Sequence, residues 1–252
     1  MGIKSVNLKL NPIFVHSNSI SMKRTFFLIL ILAAFLLSSP VHAQVVNEKT
    51  KKKISIGVGL STDIMMNMPS DVKPWAINRG ANVFGTYNVP FGKSDFGFAI
   101  GLGLSSHNIY GNFIVNSTSD STWLFKIPDS VSYKRSKMTL AYLEVPIEFR
   151  FKSKTKISVG VGFKAGFLVG SYTKYIGDGP ITTTNYTLNE TEKQRVKFWG
   201  IKNLEQFTYG PTLRVGYKWF NLTGYYMISN LFVKNRGPEM YPISVGFVLM
   251  PF

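Results

Sequence analysis

Ser105 and His107 are the residues whose types and spacing come closest to catalytic chemistry in this 252-residue chain. A serine hydroxyl attacks a carbonyl carbon when a histidine removes its proton, and a carboxylate usually orients that histidine. Residues two apart on a β-strand lie on the same face, so these two side chains would be neighbours. No acidic residue is obviously placed to orient His107. We therefore predict no catalytic residues and a chain that is not an enzyme.

The strand that carries this pair alternates strictly between large and small residues. From Phe96 to Ser105, every even position is large and apolar, and every odd position is Gly, Ala or Ser. Because side chains of a strand point alternately to opposite faces, one face is apolar and the other is nearly bare. A narrow membrane-spanning β-barrel satisfies both faces, with lipid outside and a small lumen inside.

Similar segments recur along the chain, and tight connections alternate with longer ones. This pattern predicts an all-β fold, an eight-stranded antiparallel up-and-down transmembrane β-barrel with both termini in the periplasm. A general diffusion pore is not expected, because eight strands enclose space only for side chains. The predicted strands are Ile54–Ile64, Gly80–Pro90, Phe96–Tyr110, Lys137–Lys152, Lys156–Tyr175, Gln206–Trp219, Asn221–Val233 and Met240–Pro251.

Charged residues occupy the small-residue faces of several predicted strands. Buried charges are costly unless they are paired, so the sequence predicts an ion-pair network inside the barrel. A structural filling of the lumen is the favoured interpretation, and a gate or a proton or ion path is the alternative. The predicted acceptors are Glu144 and Glu148, and the predicted cations are Arg150, Lys164, Arg214 and Lys218.

The beginning of the chain resembles a secretory signal peptide. Lys23 and Arg24 precede an apolar run, which ends in a small-residue sequence before Gln44. We expect cleavage after Ala43 and translation from Met22. Residues 1–43 would then be a leader and signal peptide, 44–53 a short basic periplasmic segment, and 54–252 the outer-membrane barrel domain.

Composition excludes several kinds of site. The chain has no cysteine, which rules out disulfides and thiolate chemistry. The glycines of 96–104 lie within a strand, not between a strand and a helix, so they do not form a nucleotide-binding loop. Carboxylates are scattered, and we assign no metal and no cofactor.

The chain is strongly basic, with a formal net charge of +16, of which the leader contributes four charges. Basic clusters occur at Lys49–Lys53 and around Lys134–Lys137. Such charge suits outer-membrane lipid and phosphate-rich lipopolysaccharide, whereas export and the barrel pattern argue against nucleic acid. The long loops predict protein partners. Ser121 and Ser130 follow aspartates in tripeptides that resemble O-glycosylation sites of exported Bacteroidota proteins.

A set of segments resembles the PorT (SprT) family of Bacteroidota outer-membrane β-barrels. The resemblance implies a role in type IX secretion of cargo with a C-terminal sorting domain, and in gliding motility where that occurs. It carries no catalytic residues. The segments are 73–75 (Lys-Pro-Trp), 78–80 (Asn-Arg-Gly), 98–103 (Phe-Ala-Ile-Gly-Leu-Gly), 142–148 (Tyr-Leu-Glu-Val-Pro-Ile-Glu), 163–166 (Phe-Lys-Ala-Gly) and 237–246 (Gly-Pro-Glu-Met-Tyr-Pro-Ile-Ser-Val-Gly).

The sequence thus favours a non-enzymatic accessory component of type IX secretion, which docks partners through its loops or its periplasmic start. Two alternatives stay open. The Ser105–His107 spacing resembles that of lipid A acylhydrolase barrels, which would make the protein a lipid A-modifying enzyme. A structural or adhesive surface barrel is the other alternative.

Overall fold

The computed structural model describes residues 53–179, 181–182, 187–188 and 194–250. All of these residues belong to one compact unit, Glu48–Phe252. The predicted leader, its cleavage after Ala43 and most of the basic segment 44–53 lie outside the described residues. Within the described part of the chain, no helix is long and apolar enough to cross a membrane.

The described residues form β-strands joined by turns and loops. Many strands alternate large apolar residues with small ones, a pattern with the period of two that is typical of a strand between two different environments. The strands are β1 (Ile54–Met66), β2 (Arg79–Pro90), β3 (Phe96–Tyr110), β4 (Phe113–Ser117), β5 (Thr122–Lys126), β6 (Tyr133–Lys152), β7 (Ile157–Gly177), β8 (Ile181–Thr182), β9 (Thr187–Leu188), β10 (Gln194–Trp199), β11 (Phe207–Tyr217), β12 (Phe220–Tyr226) and β13 (Tyr241–Leu249).

Eight of these strands close into an antiparallel barrel. Their order around the wall is β7, β11, β12, β13, β1, β2, β3 and β6, and pairing of β6 with β7 closes the ring. β10 pairs with the last part of β7, beyond the residues that pair with β11. β10 and β11 therefore act as one wall strand that an excursion of the chain interrupts. The predicted eight-stranded fold is confirmed.

The alternation of large and small residues matches the two faces of the wall. Leu102 and Leu104 on β3 are more than half exposed, whereas Ala99 is 1% exposed. Large apolar side chains at the outward positions of the other strands are exposed in the same way. An exposed apolar band around a closed barrel is the surface that membrane β-barrels present to lipid.

Connections differ between the two ends of the barrel. Turns at 91–95, 153–156 and 218–219 join neighbouring strands tightly at one end. Gly92, Lys156 and Lys218 have positive φ there, which lets the chain reverse within a few residues. Long connections follow β1, β3, β7 and β12 at the opposite end, and two of them contain further strands.

An apolar cluster lies at the end with the long connections. It combines residues from the ends of wall strands nearest the long connections with residues of the loops and of β4 and β5. Burial of this much apolar surface stabilises the loops against the wall. The apolar cluster consists of Met65, Val72, Ile109, Phe113, Val115, Leu124, Met138, Leu140, Tyr142, Leu204, Tyr225, Met227, Leu231, Phe232 and Met240.

The structure differs from the predicted strands mainly at this end. β6 begins at Tyr133 and not at Lys137, and β7 continues to Gly177. β12 ends at Tyr226, whereas the sequence pattern predicted a strand to Val233. Met227, Leu231 and Phe232 belong to the cluster within the loops and not to the wall. Their hydrophobicity alone therefore did not distinguish a strand from a buried loop.

Candidate functional site

The most highly charged part of the interior surrounds Glu148 on β6. The Arg150 guanidinium lies 2.7 Å from Glu148 Oε2, and Nη2 of Arg214 lies 2.6 Å from Oε1. Arg150 Nη1 also donates a hydrogen bond to the side chain of Asn88. The Glu148 side chain is 3% exposed, so two cations from β6 and β11 share one buried carboxylate. Such a charge-assisted arrangement fixes the relative positions of the strands that carry it.

Glycines on β7 provide the space for these side chains. A Cβ atom on Gly162 would lie 2.9 Å from Cγ of Glu148 and would also collide with the carbonyl oxygen of Ile147. At Gly160 the contacts would be ordinary, with Glu148 Oε2 at 3.6 Å. The small-residue face of β7 is thus occupied by long charged side chains from the adjacent strands β6 and β11.

A second charged group surrounds Glu144, which precedes Glu148 by four residues on β6 and lies on the same face. Lys164 Nζ lies 2.8 Å from Glu144 Oε1, and Ser105 Oγ donates a hydrogen bond of 2.7 Å to the same oxygen. The ammonium of Lys164 also lies 3.9 Å from the centre of the Tyr225 ring. Glu144 is 7% exposed, and its charge is balanced within the barrel.

A third group joins Asp63 on β1 to His107 and Ser105 on β3. Asp63 Oδ2 lies 2.9 Å from His107 Nδ1, and Ser244 Oγ donates a hydrogen bond of 2.6 Å to Oδ1. Ser105 Oγ lies 3.3 Å from His107 Nε2. Asp63 is fully buried, and His107 is 5% exposed. These three residue types occur together in serine hydrolases.

The proton of Ser105 argues against hydrolase chemistry in this arrangement. A hydroxyl has one proton, and the shorter contact of Ser105 is the hydrogen bond that it donates to Glu144. A serine nucleophile needs to donate that proton to histidine instead. Ser105 and His107 also face the interior, with 6% and 5% exposure, whereas a lipid substrate would lie against the outer wall.

The prediction that no acidic residue orients His107 is wrong. Asp63 occupies that position, although it lies 44 residues away in the sequence. One signal was present: Asp63 follows Gly57, Gly59 and Ser61 at the small-residue positions of β1. It is therefore an acidic residue on an inward face, like Glu144 and Glu148.

Five of the six residues of the predicted ion-pair network lie together in the interior, and Lys218 does not. Lys218 sits at the β11–β12 turn with φ of 55°, and it is exposed. Its Nζ lies 5.3 Å from the centre of the neighbouring Tyr217 ring. The alternation of inward and outward residues holds on β11 as far as Gly216. Lys218 lies beyond it, in the turn, where the backbone conformation directs its side chain out of the barrel.

The lumenal network is our name for Asp63, His107, Ser105, Glu144, Lys164, Glu148, Arg150 and Arg214. A cavity of about 50 Å³ lies against it, with room for roughly three water molecules. Asn82 Oδ1, Thr212 Oγ1 and Arg214 Nε belong to lining residues and have no hydrogen-bond partner among the described residues. The described carboxylates and histidines include no group of three that could hold a metal ion.

The two predicted glycosylation serines lie on the loops at the end with long connections. Ser121 is in the β4–β5 turn, where its backbone N–H donates a hydrogen bond of 3.1 Å to Thr118 Oγ1. Ser130 is exposed in the turn that follows β5. The structure gives both a loop position, and modification of either one stays a prediction.

A closed eight-stranded barrel with an apolar exterior and a charged interior defines an outer-membrane β-barrel protein. The sequence places this chain in one family. It belongs to the outer membrane protein beta-barrel domain family, which matches residues 42–233.

Comparison with solved structures finds Ail, the attachment invasion locus protein of Yersinia pestis, in two crystal structures. One is a complex with the heparin analogue sucrose octasulfate, at 13% identity and a TM-score of 0.37. The other has 12% identity and a TM-score of 0.36. Each alignment covers 79% of this chain and 97% of Ail. No curated protein matches the chain.

Proposed function

We propose that this outer-membrane barrel is a non-enzymatic accessory component of type IX secretion, of the PorT kind, and of gliding motility where that occurs. One observation carries the proposal: ion-paired side chains fill the lumen, and the apolar cluster covers it at the end with long connections. A barrel filled in this way has no room for a protein cargo. Its contribution to secretion is therefore made by its surfaces.

The long connections are the surfaces best suited to bind a protein. The β4–β5 hairpin has its own hydrogen-bonded register and exposes Trp123 and Phe125, which are 40% and 43% exposed. Exposed aromatic residues on an ordered hairpin are common anchors in protein interfaces. Partners on the cell surface would bind there, and the basic segment 44–53 would bind partners in the periplasm. This orientation has both termini in the periplasm.

The segments that resemble the PorT family are the reason for proposing type IX secretion as the process. The Tyr-Leu-Glu-Val-Pro sequence at 142–146 includes Glu144 of the lumenal network, and 237–246 spans the connection into β13. These segments therefore lie at the lumen and at the end with long connections.

Deletion of the gene tests the proposed function directly. Cargo with a C-terminal sorting domain should accumulate inside the cell, and the wild-type gene should restore its secretion. Normal secretion in the deletion strain would refute the proposal. A surface or adhesion defect with normal secretion would instead support a structural or adhesive barrel.

The Asp63–His107–Ser105 arrangement favours a lipid A-modifying enzyme as the second candidate. That candidate requires the hydroxyl of Ser105 as the nucleophile. We expect the lipid A mass spectrum of cells with Ser105→Ala to equal that of wild-type cells, because the hydroxyl is bound to Glu144 inside the barrel. A mass shift that is lost both in Ser105→Ala and in His107→Asn would establish the enzyme instead.

A further inference from the structure

Three lysines form a row across adjacent strands at the end with long connections. Lys137 on β6 pairs with Lys174 on β7, and Lys174 pairs with Lys197 on β10. Paired residues of a sheet point to the same face, with Cβ atoms about 5 Å apart. Like charges placed directly opposite each other destabilise a sheet. We call Lys137, Lys174 and Lys197 the lysine row.

The next residues on this face add more positive charge and no described acid. Arg135 and Arg195 both pair with Ile176, one step beyond the lysine row on the same face. The five cations have no carboxylate partner among the described residues.

Aromatic rings lie beside the lysine row on its membrane side. Lys197 Nζ lies 4.2 Å from the centre of the Tyr172 ring and 3.8 Å from that of Trp199. Lys137 Nζ lies 5.3 Å from the Tyr172 ring and donates a hydrogen bond of 2.5 Å to Asn108 Oδ1. Trp and Tyr of β-barrels concentrate at the membrane interface. The rings thus place the lysine row at the depth of lipid head groups.

Strand geometry gives the same depth. The outward face of β6 runs from Phe151 through Leu143 to Lys137, and Lys137 is 14 residues from Phe151. At ~3.3 Å per residue and a tilt of ~40°, this separation is roughly 35 Å along the barrel axis. The apolar band of such barrels is ~25 Å tall, so the lysine row lies ~10 Å beyond it.

We propose that the lysine row binds the phosphate groups of a phosphorylated glycolipid, the lipid A portion of lipopolysaccharide, in the outer leaflet. Phosphate supplies the carboxylate-like partner that the lysine row does not have among the described residues, and three ammonium groups in one row can donate hydrogen bonds to its oxygens. The lipid's acyl chains lie along the apolar wall below. The assignment to the outer leaflet rests on the proposed orientation of the barrel, whereas binding itself does not.

Native mass spectrometry of the purified full-length chain tests this site. The probes are bis-phosphorylated lipid A and the same lipid without phosphates. The variant is the triple substitution of Lys137, Lys174 and Lys197 by Gln. The control is Lys93→Gln with Lys152→Gln and Lys154→Gln, which removes the same charge near the short turns.

Wild type and control should bind the phosphorylated lipid roughly tenfold or more tightly than the dephosphorylated one, and the triple variant should lose that preference. A triple variant that keeps the preference, or a wild type that lacks it, would overturn the proposal. If the triple variant does not fold, Lys174→Gln alone should reduce the preference severalfold. Loss of lipid binding with normal secretion, or the reverse, separates this site from the proposed function.

Discussion

The charges inside the barrel and those of the lysine row differ in how they are neutralised. Inside, Glu148 and Glu144 lie within 2.8 Å of cations on β6, β7 and β11. On the outer wall, the cations of the lysine row lie opposite one another, beside aromatic rings. Both sets include residues of β6 and β7. On the inner face of these strands the cations have carboxylate partners, and on the outer face they have cationic neighbours.

This difference separates structural charge from charge that is available for binding. A buried cation that already has its carboxylate has little to gain from an external anion, and removing its partner is costly. An exposed cation with cationic neighbours gains from any anion that binds between them. We therefore infer that the interior charges stabilise the barrel and that those of the outer wall bind ligands. Substitutions inside should change the free energy of unfolding, and substitutions in the lysine row should change lipid binding.

Glu148→Gln should have the largest effect on stability. It leaves Arg150 and Arg214 without their shared negative charge in the interior, and breaking a buried pair in this way costs about 3–5 kcal/mol. Urea unfolding of the barrel in phospholipid vesicles, with heat-modifiability on gels, measures the loss.

The matched control for Glu148→Gln is Asp129→Asn. Asp129 is 87% exposed and pairs with Lys126 at 3.0 Å on a loop. Exposed ion pairs contribute little, so its unfolding curve should coincide with that of wild type. Equal stability of both variants would show that the lumenal ion pairs do not hold the barrel together.

Gly162→Ala should have an intermediate effect. Its Cβ would occupy the space of the Glu148 side chain and of the Ile147 backbone, and overpacking of this kind costs about 1–3 kcal/mol. Gly85→Ala is the control, because a Cβ there meets no atom within 4 Å. Tolerance of both substitutions in the urea assay would mean that the small-residue face of β7 is not what accommodates the charged side chains.

Lys174→Gln should change the free energy of unfolding least, and the sign of the change should depend on whether phosphorylated lipid is present. Without anionic lipid, removal of the central charge relieves repulsion from Lys137 and Lys197 and should stabilise the barrel by about 0.3 kcal/mol. With phosphorylated lipid A present, the same variant should be less stable than wild type. A change of the same sign in both lipids would indicate that no anion binds between the lysines.

The sequence predicted the wall of this protein better than its loops. Alternation on β3 defined its limits, Phe96 to Tyr110, because each residue there faces either lipid or lumen. Met227, Leu231 and Phe232 pack in the apolar cluster, and the period of the sequence does not reveal that they leave the wall. β4, β5 and β10 lie in connections that the pattern left without strands.

The sequence predicted which site residues point inward, but not which residues of different strands lie next to each other. Alternation identified Glu144, Glu148 and Lys164 as inward residues, since it needs only one strand at a time. The contact of Asp63 with His107 depends on β1, β2 and β3 being neighbours in a particular register. The lysine row depends likewise on the pairing of β7 with both β6 and β10, which sequence patterns do not specify.

The central claim is that the interior of the barrel is structural and its surface is functional. The most direct test replaces one lumenal ion pair and asks whether the variant complements the deletion strain. Glu144→Gln with Lys164→Met removes an acid and its cation together, and such paired replacements are often neutral for stability. In the deletion strain, the double variant should assemble in the outer membrane and restore cargo secretion to the wild-type level. A correctly folded double variant that fails to restore secretion would contradict the account, because the lumen would then take part in transport.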